Sequence, residues 1–118
     1  MSLFELRGCV LHSGSWSNWM IDCNSLTDDD LECLAYLGRA LVGSFGEVMG
    51  IPNGGLRFAK AMEKYATFGP RLIVDDVYTT GDSINTWYGD GVKFLVIFAR
   101  RQPPPWIKFI WQIGTEVT

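Results

Sequence analysis

Apolar residues recur along this chain in two spacings, and the alternation between them is its first readable feature. Behind Thr27 and the carboxylates Asp28, Asp29 and Asp30, apolar positions fall at Leu31, Leu34, Leu37 or Gly38, and Leu41. That is helical spacing. A Thr N-cap followed by acids in the first turn complements the positive end of a helix. The helix is predicted to end by Gly43. Ahead of it, segment 9–23 is short, apolar and broken by Ser13-Gly14-Ser15, which predicts a hairpin or two short strands. Beyond it, Phe45 to Met49 reads as a strand, Gly50 to Gly55 as a turn, and Leu56 to Tyr65 as a helix with Phe58, Ala59 and Met62 inward. Arg71 to Val74 reads as a strand, Asp75 to Gly81 as a loop, Asp82 to Tyr88 as a short helix, and Val92 to Phe98 as a strand. After Pro103-Pro104-Pro105, Trp106 to Ile113 alternates loosely and reads as a last strand. Strands alternating with helices predict an α/β fold: a mainly parallel, Rossmann-like sheet flanked by helices. Ligands in such sheets sit beyond the carboxyl ends of the strands.

Composition narrows the picture. With 118 residues, 47% of them hydrophobic and 19% charged, the chain suits one small domain over 1–118 and excludes intrinsic disorder. A net charge of −3 argues against a nucleic-acid groove, but not against a phosphorylated small molecule, which backbone N–H groups can hold. No apolar run reaches the 18 or so residues of a membrane span, and no signal peptide is evident at the start. Cys9, Cys23 and Cys33 form no C-x-x-C pair, which predicts free thiols and a cytoplasmic setting. With His12 as the one histidine, a histidine-based metal site is not expected.

The richest stretch is Leu72-Ile73-Val74-Asp75-Asp76-Val77-Tyr78-Thr79-Thr80-Gly81-Asp82-Ser83. An apolar strand delivers two adjacent acids to its carboxyl end, and a hydroxyl-rich loop and a helix follow. The backbone N–H groups and the Thr79, Thr80 and Ser83 hydroxyls suit one phosphate, with Gly81 permitting close approach. Asp75 and Asp76 suit the hydroxyls of a sugar carrying that phosphate, or a hydrated cation.

This string closely resembles the ribose-5-phosphate signature of the type I phosphoribosyltransferases. The resemblance implies that Asp75 and Asp76 hold the ribose hydroxyls of phosphoribosyl pyrophosphate, and that the loop Thr79 to Ser83, within a site over 75–83, holds its 5′-phosphate. A second segment, Val10 to Asp22, resembles the N-terminal segment of the orotate branch. On that match His12, Met20 and Ile21 lie on the base side. Segment 97–102 resembles the strand whose Arg meets the orotate carboxylate, which gives that role to Arg101. The turn Ile51-Pro52-Asn53-Gly54-Gly55 takes the place of the pyrophosphate loop, with Arg57 one helical turn on. The resemblance also implies Mg²⁺ bound with phosphoribosyl pyrophosphate rather than directly by the chain, a nucleobase as second substrate, and a homodimer. It divides the chain into a base-side segment 9–23, a core 45–102 and a last strand within 103–118.

Four departures qualify the resemblance. His12 replaces a base-contacting Lys, Gly54 replaces a Lys before the last glycine of the turn, and Arg100 stands where the family has an acid. The fourth is the largest. Residues 56–71 leave no room for the further strands and the long basic loop that closes over the reacting centre in the family. Three functions follow: a minimal orotate-like transferase, a catalytically inactive module for phosphoribosyl pyrophosphate or a nucleotide, and an interaction protein using Trp106 and Trp111 at an interface.

Overall fold

The computed structural model describes residues 2–10 and 16–113. The chain begins with four two-residue strands, β1 (Phe4–Glu5), β2 (Cys9–Val10), β3 (Trp16–Ser17) and β4 (Met20–Ile21). They pair antiparallel as β1 with β4 and β2 with β3. The expected hairpin over 9–23 is thus two nested pairs, and the outer pair recruits residues ahead of the segment. A 3-10 turn, Cys23–Ser25, leads to α1 (Asp28–Val42).

Helix α1 starts as its sequence predicts. The Thr27 side chain accepts from the Asp30 N–H at 3.1 Å, and Asp30 Oδ2 accepts from the Thr27 N–H at 2.9 Å. Such a reciprocal box satisfies two otherwise orphaned donors. The inward face differs from expectation. Leu31, Leu34, Ala35, Gly38 and Val42 are buried, whereas Leu37 and Leu41 are exposed. Gly38 sets this phase: a Cβ there would crowd the Leu95 side chain, so the bare backbone lets the helix lie close on the sheet.

The main sheet holds β5 (Val48–Gly50), β6 (Arg71–Tyr78), β7 (Val92–Ala99) and β8 (Ile107–Gln112), in that order and all parallel. Helix α2 (Gly55–Met62), prolonged by a 3-10 turn over Glu63–Tyr65, connects β5 to β6. Helix α3 (Asp82–Trp87) connects β6 to β7. On one face, Leu72, Val74, Leu95 and Ile97 meet Phe58, Ala59 and Met62 of α2 and the buried side of α1. On the other, Ile73, Phe94, Val96 and Ile107 meet Ile84 of α3. Each fully buried large side chain here contributes about 2 kcal/mol of transfer free energy. No helix connects β7 to β8. The proline run occupies that crossover, and prolines neither donate to nor continue a helix. Trp106 instead packs edge-on against Tyr88 and Phe94, with ring centroids 4.8 and 5.2 Å away.

Strand β6 corrects one expectation. Asp75 to Tyr78 is not loop but strand, paired with β7 as far as Tyr78 opposite Ala99. Long-range pairing overrides the poor strand propensity of two adjacent aspartates. Only residues 66–70 separate the 3-10 turn ending at Tyr65 from β6, so this connection holds no further strand and no long loop. No helix among the described residues is long and apolar enough to cross a membrane.

Candidate functional site

The carboxyl ends of β5, β6 and β7 open onto a cavity of about 390 Å³. Its floor comes from β6 and the following turn: Asp75 through Asp82 all line it. Ile51, Pro52 and Gly54 of the β5–α2 turn form one side. Met20 and Ile21 of β4, with Arg7, Cys9 and Val10, form the cover. A volume of that size lies within the roughly 300–1,000 Å³ range of small-ligand sites.

The N-terminal cover is tied to the sheet by Arg100, the residue after β7. Its side chain is 1% exposed. The guanidinium donates to Ser17 Oγ at 2.6 Å and to the Trp19 carbonyl at 3.3 Å, and it lies 3.6 Å from the Trp19 ring centroid. The Arg100 N–H donates to the Tyr78 carbonyl at 3.0 Å, which fixes its place beside the end of β6. Phe4 adds an edge-to-face contact with Phe98 at 6.0 Å.

Asp75 is 9% exposed, and the Asp76 N–H donates to its Oδ1 at 2.8 Å. Burial, and then the neighbouring Asp76 charge, push the Asp75 carboxyl up to about 8. Near neutral pH Asp75 therefore carries a proton and can both donate to and accept from a sugar hydroxyl. Asp76 accepts from the Val77 N–H at 2.8 Å. Its carboxylate lies against Gly54, where any Cβ would overlap it. Burial and the charges of Asp76, Asp22 and Asp75 push the Cys23 thiol up, so it remains protonated. Thr79 and Thr80 are half-buried, and Thr80 Oγ1 accepts from the Asp82 N–H at 3.4 Å. Gly81 turns the chain with φ of 87°, a left-handed conformation that suits glycine.

The expected site residues divide clearly. Asp75, Asp76, Val77, Tyr78, Thr79, Thr80, Gly81, Asp82, Ile51, Pro52, Gly54, Met20 and Ile21 meet at the one cavity. Asn53 lines instead a second hollow of about 320 Å³, which shares Met20, Ile21, Gly54 and Asp76 with the first and adds Cys23 and Arg57. Gly55 is buried and lines neither. Arg57 does not reach towards the main cavity: it donates to the Leu26 carbonyl at 2.8 Å and pairs with Asp28. Arg101 lines neither hollow, and its neighbour Arg100 lines the main one. Adjacent residues at a strand end point to opposite sides, so one step in sequence decides which reaches the cavity. His12 and the Ser83 side chain lie outside what the structure describes. Cys9 and Val10 lie at the start of the expected base-side segment 9–23, whereas Arg7 was not singled out by sequence reasoning. The pairing of β1 with β4 and of β2 with β3 brings the three over the site, and for Arg7 no local pattern announces that. Among the described residues, no group of three His, Cys, Asp or Glu could hold a metal ion by itself.

No protein-family model matches this sequence, and no curated protein matches it either. Solved structures do match. The orotate phosphoribosyltransferase of Aeropyrum pernix superposes with a TM-score of 0.70 at 21% identity, over 93% of this chain and 88% of that one. That of Mycobacterium tuberculosis, solved with Fe(III) dicitrate, gives 0.66 at 15% identity, over 93% and 89%. That of Francisella tularensis gives 0.58 at 12% identity, over 93% and 80%. The chain has a type I phosphoribosyltransferase fold of the orotate phosphoribosyltransferase kind.

Proposed function

We propose that this protein binds the ribose 5-phosphate group common to phosphoribosyl pyrophosphate and nucleotides, and transfers it between pyrophosphate and a base, orotate foremost. One observation carries the reading: the acid pair, the turn 79–82 and the base-side residues Met20 and Ile21 line a single cavity. In this reading Asp75 and Asp76 hold the ribose hydroxyls, and Thr79 to Ser83 hold the 5′-phosphate. In this reading Mg²⁺ arrives with phosphoribosyl pyrophosphate and belongs to the substrate. The Asp76 carboxylate would face a cation so delivered, with the protonated Asp75 left to the ribose hydroxyls. When bound, such an ion draws charge from the departing pyrophosphate. A homodimer belongs to the same reading, and sedimentation checks it.

The short 66–70 connection favours a second reading, a binding module without turnover. Phosphoribosyl transfer passes through a cationic sugar, and a closing lid excludes water from it. Pyrophosphate release from Mg²⁺-phosphoribosyl pyrophosphate, with orotate, with other bases and with none, separates the two. Release that requires one base establishes the transferase. No release from protein that still binds the donor establishes the module. A folded Asp75→Asn/Asp76→Asn double variant is expected to lose donor affinity, and unchanged affinity would remove the site itself from consideration.

A further inference from the structure

The β5–α2 turn at the edge of the cavity is poorly equipped for anions. The chain has ten Lys and Arg residues, and Arg7 and Arg100 are the two that line the main cavity. Arg57 would be the natural cation for the β5–α2 turn, yet it is held by the Leu26 carbonyl and Asp28 on the far side. Arg71 pairs with Glu47, and Lys93 donates to the carbonyls of Val42 and Ser44 at 2.6 and 2.9 Å. Both sit at the amino ends of β6 and β7, away from the cavity.

The turn itself offers few donors. Pro52 has no N–H. The Ile51 N–H donates to the Val74 carbonyl at 2.9 Å, the Gly55 N–H to the Ile51 carbonyl at 2.8 Å, and the Leu56 N–H to the Asn53 carbonyl at 3.2 Å. That leaves the Asn53 and Gly54 amides without such an acceptor among the described residues. Against Gly54 lies the Asp76 carboxylate. From the turn itself a pyrophosphate would meet a carboxylate and at most two amides, and from the cover Arg7, whose charge is shared with Glu5 at 3.6 Å. Like charges this close repel strongly where water is partly excluded.

We infer that the site prefers a ribosyl 5′-monophosphate, such as a nucleoside 5′-monophosphate, over a ligand with a diphosphate on C1. The inference rests on the ribose-5-phosphate reading above and adds to it which ligand the site retains. The 5′-phosphate takes the hydroxyls of Thr79 and Thr80 and the open turn at Gly81. The C1 substituent then faces Met20, Ile21, Ile51 and Pro52, which suit the flat, uncharged body of a base. A transferase so built holds its nucleotide more tightly than its donor, and a binding module so built senses nucleotide rather than donor.

The test is calorimetric titration of the full chain with ribose 5-phosphate, phosphoribosyl pyrophosphate and uridine 5′-monophosphate, in EDTA at pH 7.5. The first two differ only in the C1 diphosphate. Ribose 5-phosphate and uridine 5′-monophosphate are each expected to bind at least about tenfold tighter than phosphoribosyl pyrophosphate. In Asp76→Asn the gap between ribose 5-phosphate and phosphoribosyl pyrophosphate is expected to shrink to about threefold or less, whatever the loss in absolute affinity. Phosphoribosyl pyrophosphate binding as tightly as ribose 5-phosphate to the wild type would overturn the inference and leave the ribose-5-phosphate site standing. A gap unchanged in Asp76→Asn would also overturn it, since repulsion by that carboxylate is its cause. Folded protein that binds none of the three would remove both readings together.

Discussion

The Asp76 carboxylate fills the space a Cβ on Gly54 would need, so the acid pair at the end of β6 and the β5–α2 turn share one surface. Gly54 and Asp76 also line both hollows. This makes Gly54 more than a flexible turn residue. Its missing side chain gives the carboxylate its position, and the Lys expected from the resemblance could stand there only if Asp76 moved.

Gly54→Ala is therefore expected to displace Asp76 rather than unfold the protein, because residue 54 is exposed and its φ of −63° suits alanine. Affinity for ribose 5-phosphate should fall by about tenfold, the worth of about one charged hydrogen bond. The melting temperature should move by only a few degrees. Calorimetric titration and thermal unfolding of the same sample check both parts.

Asp75 predicts how stability depends on pH. Its carboxyl is raised from 3.8 to about 8 by burial and by Asp76. Between those values the folded chain retains a proton that the unfolded chain has released. Stability must then fall as pH rises from about 4 towards 8, and level off above. Asp75→Asn removes this dependence. Its melting temperature should exceed the wild type's at pH 8.5 and approach it near pH 4. A wild type whose stability rises with pH from 5 to 8 while Asp75→Asn follows the same curve would contradict the assignment.

Arg100 joins the cover to the sheet across more than eighty positions in sequence, since its guanidinium donates to Ser17 and to the Trp19 carbonyl. Arg100→Met retains the stem but loses these charged hydrogen bonds and the face of Trp19. A cost of about 2 kcal/mol is expected. Hydrogen exchange should quicken at residues 16–21 well before it does in β6 and β7, because the cover loosens while the sheet stays paired. Equal protection in variant and wild type would show that Arg100 does not hold the cover.

The three thiols should separate by reactivity. Cys33 is exposed, whereas Cys23 is kept protonated by burial and by Asp76, Asp22 and Asp75. Thiolate is the reactive form. Iodoacetamide at pH 8 should label Cys33 first and leave Cys23 until denaturant is added. Asp76→Asn should speed Cys23 labelling, which mass spectrometry reads directly.

What the sequence determined by itself is the local part of this protein. Helix α1 begins where Thr27 and Asp30 can cap one another, because both partners lie within one turn. The strand–helix alternation announces a parallel sheet, and the acid pair followed by the hydroxyl-rich turn stays readable because its chemistry is contained in twelve consecutive residues, 72–83. The tertiary structure decided everything that needed a distant partner. Strand β6 carries Asp75 and Asp76 because β7 pairs with it that far. Gly38 rather than Leu37 faces the sheet because Leu95 fills the space beside it. Arg57 turns away because Leu26 and Asp28 lie within its reach. Arg100, and not Arg101, meets the cavity because strand parity at the end of β7 points it towards Ser17 and Trp19. Local hydrogen bonds and periodicity are written within a few residues. Register, parity and the choice of partner arise only when separate segments compete for the same space.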